Sequence, residues 1–184
     1  MLGGLAATQV EGDGYGGYNK AGIIAGGFVN HDFSEKLSLQ FEIVYIQKGS
    51  RKNPHPDKGD NDFFLFRVNY AEIPLILKYK IKIFHFEIGA FYGNLLNYYI
   101  EDEVGVRDFY KYPLKKYEFG GLFGAYIHLN KDFSLNIRSK NSIIPIRDFE
   151  NQDRVIGLLN KLFEKGWYNI ELNMSLRYTL PSKN

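Results

Sequence analysis

The sequence contains no cysteine, and it has no uninterrupted apolar run of the length that a membrane-spanning helix requires. The first absence excludes disulfide scaffolds and thiolate metal sites. The second excludes a helical membrane protein, because a spanning helix needs about 20 consecutive apolar residues. Neither sign of charge dominates, since 23 basic residues stand against 21 acidic residues. Because no basic run stands out, nucleic acid is not expected as a partner.

What the sequence has instead is an apolar residue at every second position along nearly its whole length. Period two is typical of β-strands, because successive side chains leave a strand on opposite faces. Two clear copies are Leu37–Tyr45 and Tyr168–Tyr178, in which the intervening face carries Glu42, Glu171 and Arg177. Aromatic residues make up 16% of the chain and lie near both ends of these stripes. A charged face opposite such a stripe favours a barrel whose apolar side lies in lipid.

The pattern predicts one all-β domain over residues 1–184, an eight-stranded antiparallel up-and-down transmembrane β-barrel. The predicted strands are Leu2–Val10, Ala21–Asn30, Lys36–Lys48, Phe66–Tyr79, Ile83–Leu96, Lys115–Leu129, Phe133–Ile144 and Gly166–Leu180. The connections alternate between long and short, as the long outer loops and short periplasmic turns of bacterial outer-membrane barrels do. Both termini are then expected on the periplasmic side. The main alternative is a soluble lipocalin-like barrel, which needs apolar residues on the face of Gln40 and Glu42.

Sorting the strands by parity places nine charged side chains inside the barrel. They are Glu42, Glu72, Lys78, Glu87, Glu118, Arg138, Lys140, Glu171 and Arg177. A catalytic interpretation would use the carboxylates as a paired acid and base. Eight strands leave room for side chains and little else, so a salt-bridged plug is favoured over both catalysis and a wide pore.

Three further patterns favour structural over chemical roles. His85 and His128 are expected to meet inside the barrel, but no third ligand for a metal site is evident. The glycines of Gly12–Gly17 match a dinucleotide motif in spacing, yet a strand follows where that motif needs a helix. The acidic segment Asp57–Asp62 lacks the spacing and the closing Glu of a calcium loop. We therefore expect no metal, no cofactor and no catalytic residue.

The connection before the last strand contains apolar residues at helical spacing, which predicts a short amphipathic helix. Its apolar face consists of Leu158, Leu159, Leu162 and Phe163. Such a helix would cap the barrel, lie on the membrane surface or dock on a partner. We take it as the candidate partner-binding surface.

Three segments carry a resemblance to a known family. The opening Gly3–Ala7 with Glu11–Asp13 is similar to the family's first strand and loop. Leu39–Gly49 resembles its E-x-x-Y-x-x-K-G strand, and Tyr70–Tyr79 resembles its Y-x-E-I-P-L-x-L-K strand. On these segments the chain resembles the PorT-like outer-membrane β-barrel family of Bacteroidota over essentially its whole length. Pro74 within the third segment suggests a bulge or a break in the strand ladder.

The resemblance implies an integral outer-membrane protein in contact with lipid and lipopolysaccharide. The family's namesake is an accessory of type IX secretion, and the family offers no catalytic residues to carry over. We expect a non-catalytic accessory or structural subunit of a larger outer-membrane complex for protein export or barrel assembly. The alternatives are a stand-alone OmpX-like surface barrel that binds external ligands through its loops, and a lipid-modifying barrel enzyme. Because the sequence starts without a signal peptide, we expect the mature form of an exported precursor.

Overall fold

The computed structural model of the chain describes residues 1–109, 113–148 and 165–180, together with Leu158 alone. Within these residues the backbone forms eight long strands, two strands of two residues and one short 3₁₀ turn, Pro56–Lys58. The long strands are β1 (Leu2–Glu11), β2 (Lys20–Asp32), β3 (Leu37–Lys52), β4 (Phe64–Ile81), β5 (Phe84–Asp102), β6 (Tyr117–His128), β7 (Phe133–Ser142) and β8 (Gly166–Tyr178). No helix in the described part of the chain is long and apolar enough to cross a membrane.

The strands close into a barrel. Each long strand pairs antiparallel with the next, and β1 pairs with β8 from Leu2 opposite Arg177 to Glu11 opposite Tyr168. Closure leaves no unpaired sheet edge around the wall, which removes the usual route to edge-to-edge aggregation. The predicted eight-stranded antiparallel barrel is therefore confirmed. The two-residue strands Gly105–Val106 and Arg147–Asp148 pair with the loop-side ends of β5 and β8.

The outer face of the barrel wall is mainly apolar, whereas the buried charged side chains lie on its inner face. Ile43 and Met174 are more than half exposed on the outside, whereas Gln40 and Glu42 are fully buried inside. A soluble barrel would show the reverse arrangement, since its apolar residues would fill the interior. The predicted sidedness of these strands matches the observed burial.

The apolar outer band covers only part of the longest strands. Its outward rows are Leu37–Tyr45 on β3, Ala71–Ile81 on β4 and Phe84–Tyr92 on β5, which match the about 9 to 11 residues of a spanning strand. On the loop side of these rows the outward residues become mainly polar, as at the exposed Arg51 and Arg67. Strands β3, β4 and β5 therefore continue as a three-stranded extension beyond the band. The sequence pattern ended these strands too early because the alternation stops with the band, while the backbone ladder continues.

Pro74 interrupts one ladder without creating a bulge. Pairing of β3 with β4 runs to Phe41 opposite Leu75 and resumes in the same register at Val44 opposite Glu72. A proline has no backbone N–H to donate, which accounts for the gap. The bulge in this region lies on the other side of β4, where Leu96 of β5 is the extra residue.

The interior is layered along the barrel axis. At the loop side an apolar cluster contains Phe66, Phe109 and Trp167, whose rings lie 5.3 to 5.9 Å apart. Charged side chains fill the middle. At the side of the short turns the interior opens into a cavity of about 330 Å³. The layering means that no continuous aqueous path is built along the described lumen.

Candidate functional site

The loop-side half of the charged layer is centred on Lys48. Its Nζ lies 2.6 Å from Glu72, 3.0 Å from Glu118 and 3.5 Å from Glu171. Lys140 forms ion pairs with Glu72 and Glu171. Charge-assisted hydrogen bonds of this kind are about twice as strong as neutral ones. We call these five residues the lysine cluster.

The lysine cluster rests against an aromatic ring. Lys48 Nζ and Lys140 Nζ lie 4.6 and 4.4 Å from the centroid of the Phe91 ring. Room for that ring depends on Gly120, because a Cβ there would come within 2.5 Å of it. Phe91 thus contributes cation–π attraction and fills space that water would otherwise enter.

The turn-side half of the charged layer is built from two arginines and two glutamates. Arg138 donates to Glu42 and Glu87 at 2.9 Å each, and Arg177 donates to the same two carboxylates at 2.9 and 3.4 Å. Arg138 bonds Glu42 with both Nη1 and Nη2, which is the bidentate geometry that its planar guanidinium favours. We call these four residues the arginine cluster.

All nine charged residues expected inside the barrel lie there, and none is more than 6% exposed. Together, the lysine cluster, the arginine cluster and Lys78 bring five carboxylates and five cations into the lumen. Desolvating an unpaired charge costs several kcal/mol. Ten charged side chains can therefore be buried together only because their charges nearly cancel. The arrangement is that of a packed plug.

Sequence reasoning missed two buried cations. Lys48 is the last residue of the predicted third strand and shares the parity of Glu42, so extending that parity would have found it. Lys20 is buried as well, and it precedes the predicted second strand by one residue. Both were missed because strand ends are the least certain part of a pattern.

Lys78 stands apart from both clusters. The register places it opposite Glu87, yet it forms no ion pair among the described residues. Its Nζ instead donates to Gln40 Oε1 at 2.7 Å and to Asn30 Oδ1 at 3.2 Å. Both arginines already occupy Glu87, which leaves Lys78 with neutral amide partners.

The two histidines come together at the turn side, as expected. The ring centroids of His85 and His128 lie 4.9 Å apart. The Nδ1 atom of each ring forms a hydrogen bond with a hydroxyl on the adjacent strand. His85 bonds the Tyr126 hydroxyl at 2.8 Å, and His128 bonds the Ser134 hydroxyl at 2.9 Å. In the described part of the chain, no third side chain joins them in an arrangement that could hold a metal ion.

The glycine segment forms a tight loop after β1, where Gly12, Gly14 and Gly17 all have positive φ. Asp13 ties this loop to the extension, since it accepts hydrogen bonds from Ser50 Oγ and from the Tyr15 amide. Burial raises the pKa of Asp13 to about 6. This contact therefore joins a carboxyl group to a hydroxyl group in a half-buried position. The glycine segment has a structural role here and is not a phosphate-binding loop.

The acidic segment also has a structural role. Asp60 forms an ion pair with Lys52 at the end of β3. This contact and its hydrogen bond hold the pKa of Asp60 below its usual value. Asp60 also bonds the Asp62 amide through Oδ1 at 3.1 Å, which closes the turn.

The candidate partner-binding segment lies almost entirely outside the described residues. Leu159, Leu162 and Phe163 are not among them, and Leu158 is described as helical and 67% exposed. Its proposed role in binding stays a prediction.

Comparisons with known proteins agree with the architecture. The sequence profile of a family described as "Outer membrane protein beta-barrel domain" matches residues 3–148. No curated protein matches the chain. Two solved structures that resemble it are both of Ail, the attachment invasion locus protein of Yersinia pestis.

Both Ail structures share 10% identity with the chain and cover 96% of it and 94% of their own length. The TM-scores are 0.48 for Ail alone and 0.50 for Ail in complex with the heparin analogue sucrose octasulfate. At that identity, the second likeness concerns the fold alone. The family match covers most of the chain and agrees with the closed barrel, its outward apolar band and its buried charges. The chain belongs to the "Outer membrane protein beta-barrel domain" family and is an outer-membrane β-barrel protein.

Proposed function

We propose that this barrel is non-conducting and non-catalytic, and that it works by docking, as an accessory subunit of a larger outer-membrane complex. The observation that carries the proposal is the sealed lumen. In the described part of the chain, the lysine and arginine clusters fill the middle of the lumen and the apolar layer fills its loop side, so no ion path runs through it. A barrel whose lumen is closed to passage is expected to act through its wall and its two ends.

The extension of β3, β4 and β5 supplies such a surface. It stands beyond the apolar band on the side of the long loops and presents Arg51 and Arg67 outward. The Tyr99 hydroxyl donates to Glu101 at 2.9 Å on the same outward face. Charged and aromatic side chains on a rigid, protruding sheet suit the polar rim of a protein interface. The last long loop, with Leu158, Leu159, Leu162 and Phe163, would add an apolar part to the interface.

The PorT-like resemblance supports a narrower version of the proposal, in which the complex serves protein export, such as type IX secretion, or barrel assembly in Bacteroidota. In that version residues 1–184 form a single domain made from a precursor with a signal peptide. The long loops face outward, and both termini lie with the short turns in the periplasm. The usual arrangement of loops and turns in bacterial outer-membrane barrels supports this orientation.

The absence of catalysis is part of the proposal. Ser134 and His128 form a hydroxyl–imidazole pair at 2.9 Å, which is the first half of a nucleophile–base arrangement. Among the described residues no carboxylate bonds His128, so the group that would orient the base is missing. The pair is explained as a cross-strand contact, because the register places these two residues opposite each other.

A second candidate function is a stand-alone surface barrel that binds an external ligand through the same extension. The exposed guanidinium groups of Arg51 and Arg67 favour an anionic ligand, since guanidinium pairs well with sulfate-like and carboxylate groups. The complex of Ail with a sulfated heparin analogue is an example of such binding by a barrel of similar fold.

Reversing charge on the extension tests both candidates. We expect the double change Arg51→Glu and Arg67→Glu to release partner proteins during affinity purification from native outer membranes, with the barrel still folded because both side chains are exposed. Mass spectrometry of the purified complex is the measurement. Lys131→Glu, on a short turn at the opposite end, is the matched control. A native barrel that purifies alone but binds a sulfated glycan favours the second candidate. Partners that stay bound to the folded double variant would refute docking by this face.

A conductance measurement tests the sealed lumen separately. Reconstituted in planar bilayers, the pure protein is expected to show no steady currents of porin size, because buried ion pairs fill the cross-section of a narrow barrel. Porin preparations inserted in the same bilayers are the control. Stable, ohmic channels from the pure protein would contradict the plug.

A further inference from the structure

The cavity of about 330 Å³ at the turn side has a chemical character that neither the plug nor the docking face explains. Three cations outside the arginine cluster line it, Lys36, Lys78 and Lys80, against two carboxylates, Asp32 and Glu35. Arg177 also reaches the cavity but is already paired with Glu42 and Glu87. Phe28 and Leu37 contribute apolar wall. The cavity therefore carries an excess of positive charge at an open mouth.

Lys78 is the buried cation at the floor of this cavity. Only 6% of it is exposed, and its Nζ lies 4.3 Å from the centroid of the Tyr126 ring. An ammonium group carries three donors, and two of them bond the neutral amides of Asn30 and Gln40. The third donor has no acceptor among the described residues. A buried cation without an anionic partner is costly, which favours binding of an anion there.

Further donors surround the same space. Nδ1 of His85 and of His128 bonds a hydroxyl within the wall; in the tautomer where Nδ1 accepts that bond, each Nε2 carries an N–H that has no hydrogen-bond partner in the described structure. Arg177 is 3% exposed, and no described residue forms a hydrogen bond with its Nε. Lys36 and Lys80 add charge at the rim. Several separate donors around one space fit a tetrahedral oxyanion, which offers acceptors in several directions.

The two carboxylates do not neutralise this site. Asp32 accepts a hydrogen bond from the Asn30 amide, and Glu35 lies in the exposed turn before β3. Neither forms an ion pair with Lys78 in the described residues. The excess of cations over carboxylates therefore persists at the floor of the cavity.

We propose that the turn-side cavity is a binding site for a phosphate group, held by Lys78 and by the Nε2 atoms of His85 and His128. The mouth lies where the apolar band ends, so the phosphate can belong to a soluble phosphate monoester or to a phospholipid headgroup. The site is independent of the docking face, which is at the other end of the barrel.

The test uses the full chain folded in a phosphate-free maltoside detergent. Inorganic phosphate is added at constant ionic strength against chloride, and the ring signals of His85 and His128 are followed by NMR. We expect both signals to shift saturably with phosphate and to stay unchanged with chloride. A second titration adds phosphatidylglycerol in mixed micelles, which separates the headgroup from the soluble ion as the source.

Variants connect the signal to the site. Lys78→Met keeps the length of the side chain and removes the donor, so we expect phosphate affinity to fall about tenfold or more. His128→Phe at the exposed rim is the second variant, because it keeps a ring, removes one donor and leaves the floor unchanged, and His85 then reports the binding. Lys131→Met lies on the same end but outside the cavity, and it should bind phosphate as the parent does. The heat-dependent gel mobility of the barrel shows that each variant is folded.

Each outcome of these titrations either supports the phosphate site or overturns it. Saturable shifts with phosphate, or with phosphatidylglycerol alone, support the site and identify the source of its ligand. No shift with either probe overturns the proposal. Shifts that persist at the same affinity in both folded variants, Lys78→Met and His128→Phe, overturn it as well.

Discussion

Replacing Arg138 by methionine is expected to lower the free energy of unfolding by about 3 to 5 kcal/mol, because it leaves buried carboxylates without their partner. Arg138 is 1% exposed and pairs with both Glu42 and Glu87. Arg177 remains beside them but supplies only one cation for two carboxylates. The measurement is equilibrium unfolding by denaturant in detergent or lipid, monitored by tryptophan fluorescence and by heat-dependent gel mobility.

A charge-matched variant shows whether the loss comes from unpaired charge. Adding Glu87→Gln to Arg138→Met restores the balance between Arg177 and Glu42, so we expect it to recover part of the lost stability. Arg107→Met is the control, since Arg107 is about half exposed and pairs with Asp102 outside the band, and no measurable change is expected. An Arg138→Met barrel as stable as the parent would show that the arginine cluster does not hold the wall together.

Placing an arginine at Ile88 is expected to destabilise the folded barrel in bilayers by about 2 to 4 kcal/mol, because a charge at the middle of the lipid-facing band has to leave water. Ile88 is 65% exposed and sits at the centre of the outward row Phe84–Tyr92. Unfolding titrations in vesicles give the free energy directly.

The control lies on the same strand and the same face. Asn94 follows the apolar row on β5, and Asn94→Arg is expected to cost about 0 to 1 kcal/mol, since arginine near the interface reaches water. Equal losses for Ile88→Arg and Asn94→Arg would place the band elsewhere on β5. The comparison also fixes where the extension leaves the membrane.

Much of the fold follows from local pattern. The two-residue alternation in Leu37–Tyr45 and Tyr168–Tyr178 assigns each side chain to one face, and β-strand geometry makes that assignment independent of distant contacts. The short turn before β7 follows equally from its residues. Asn130 Oδ1 accepts the backbone amides of Asp132 and Phe133 at 2.9 and 2.8 Å, as turn-forming side chains do.

The strand lengths were harder to predict, because the apolar alternation and the backbone pairing end at different residues. The alternation ends where lipid ends, whereas backbone pairing in β3–β5 continues through residues such as Lys52 and Asp102. A pattern based on apolar residues therefore finds the band and misses the extension. The proposed docking face lies largely in the part that the pattern missed.

The sequence by itself placed nine charged residues inside the barrel correctly, because parity along a strand depends only on the chain, and it missed Lys48 and Lys20 at strand ends. It could not determine which charges pair. Register predicts Lys78 beside Glu87, but the two arginines reach Glu87 from β7 and β8 across the lumen. That choice rests on side-chain reach between non-adjacent strands, and only the closed barrel sets those distances. The tertiary structure alone therefore produced both the sealed plug and the unpaired lysine that marks the turn-side cavity.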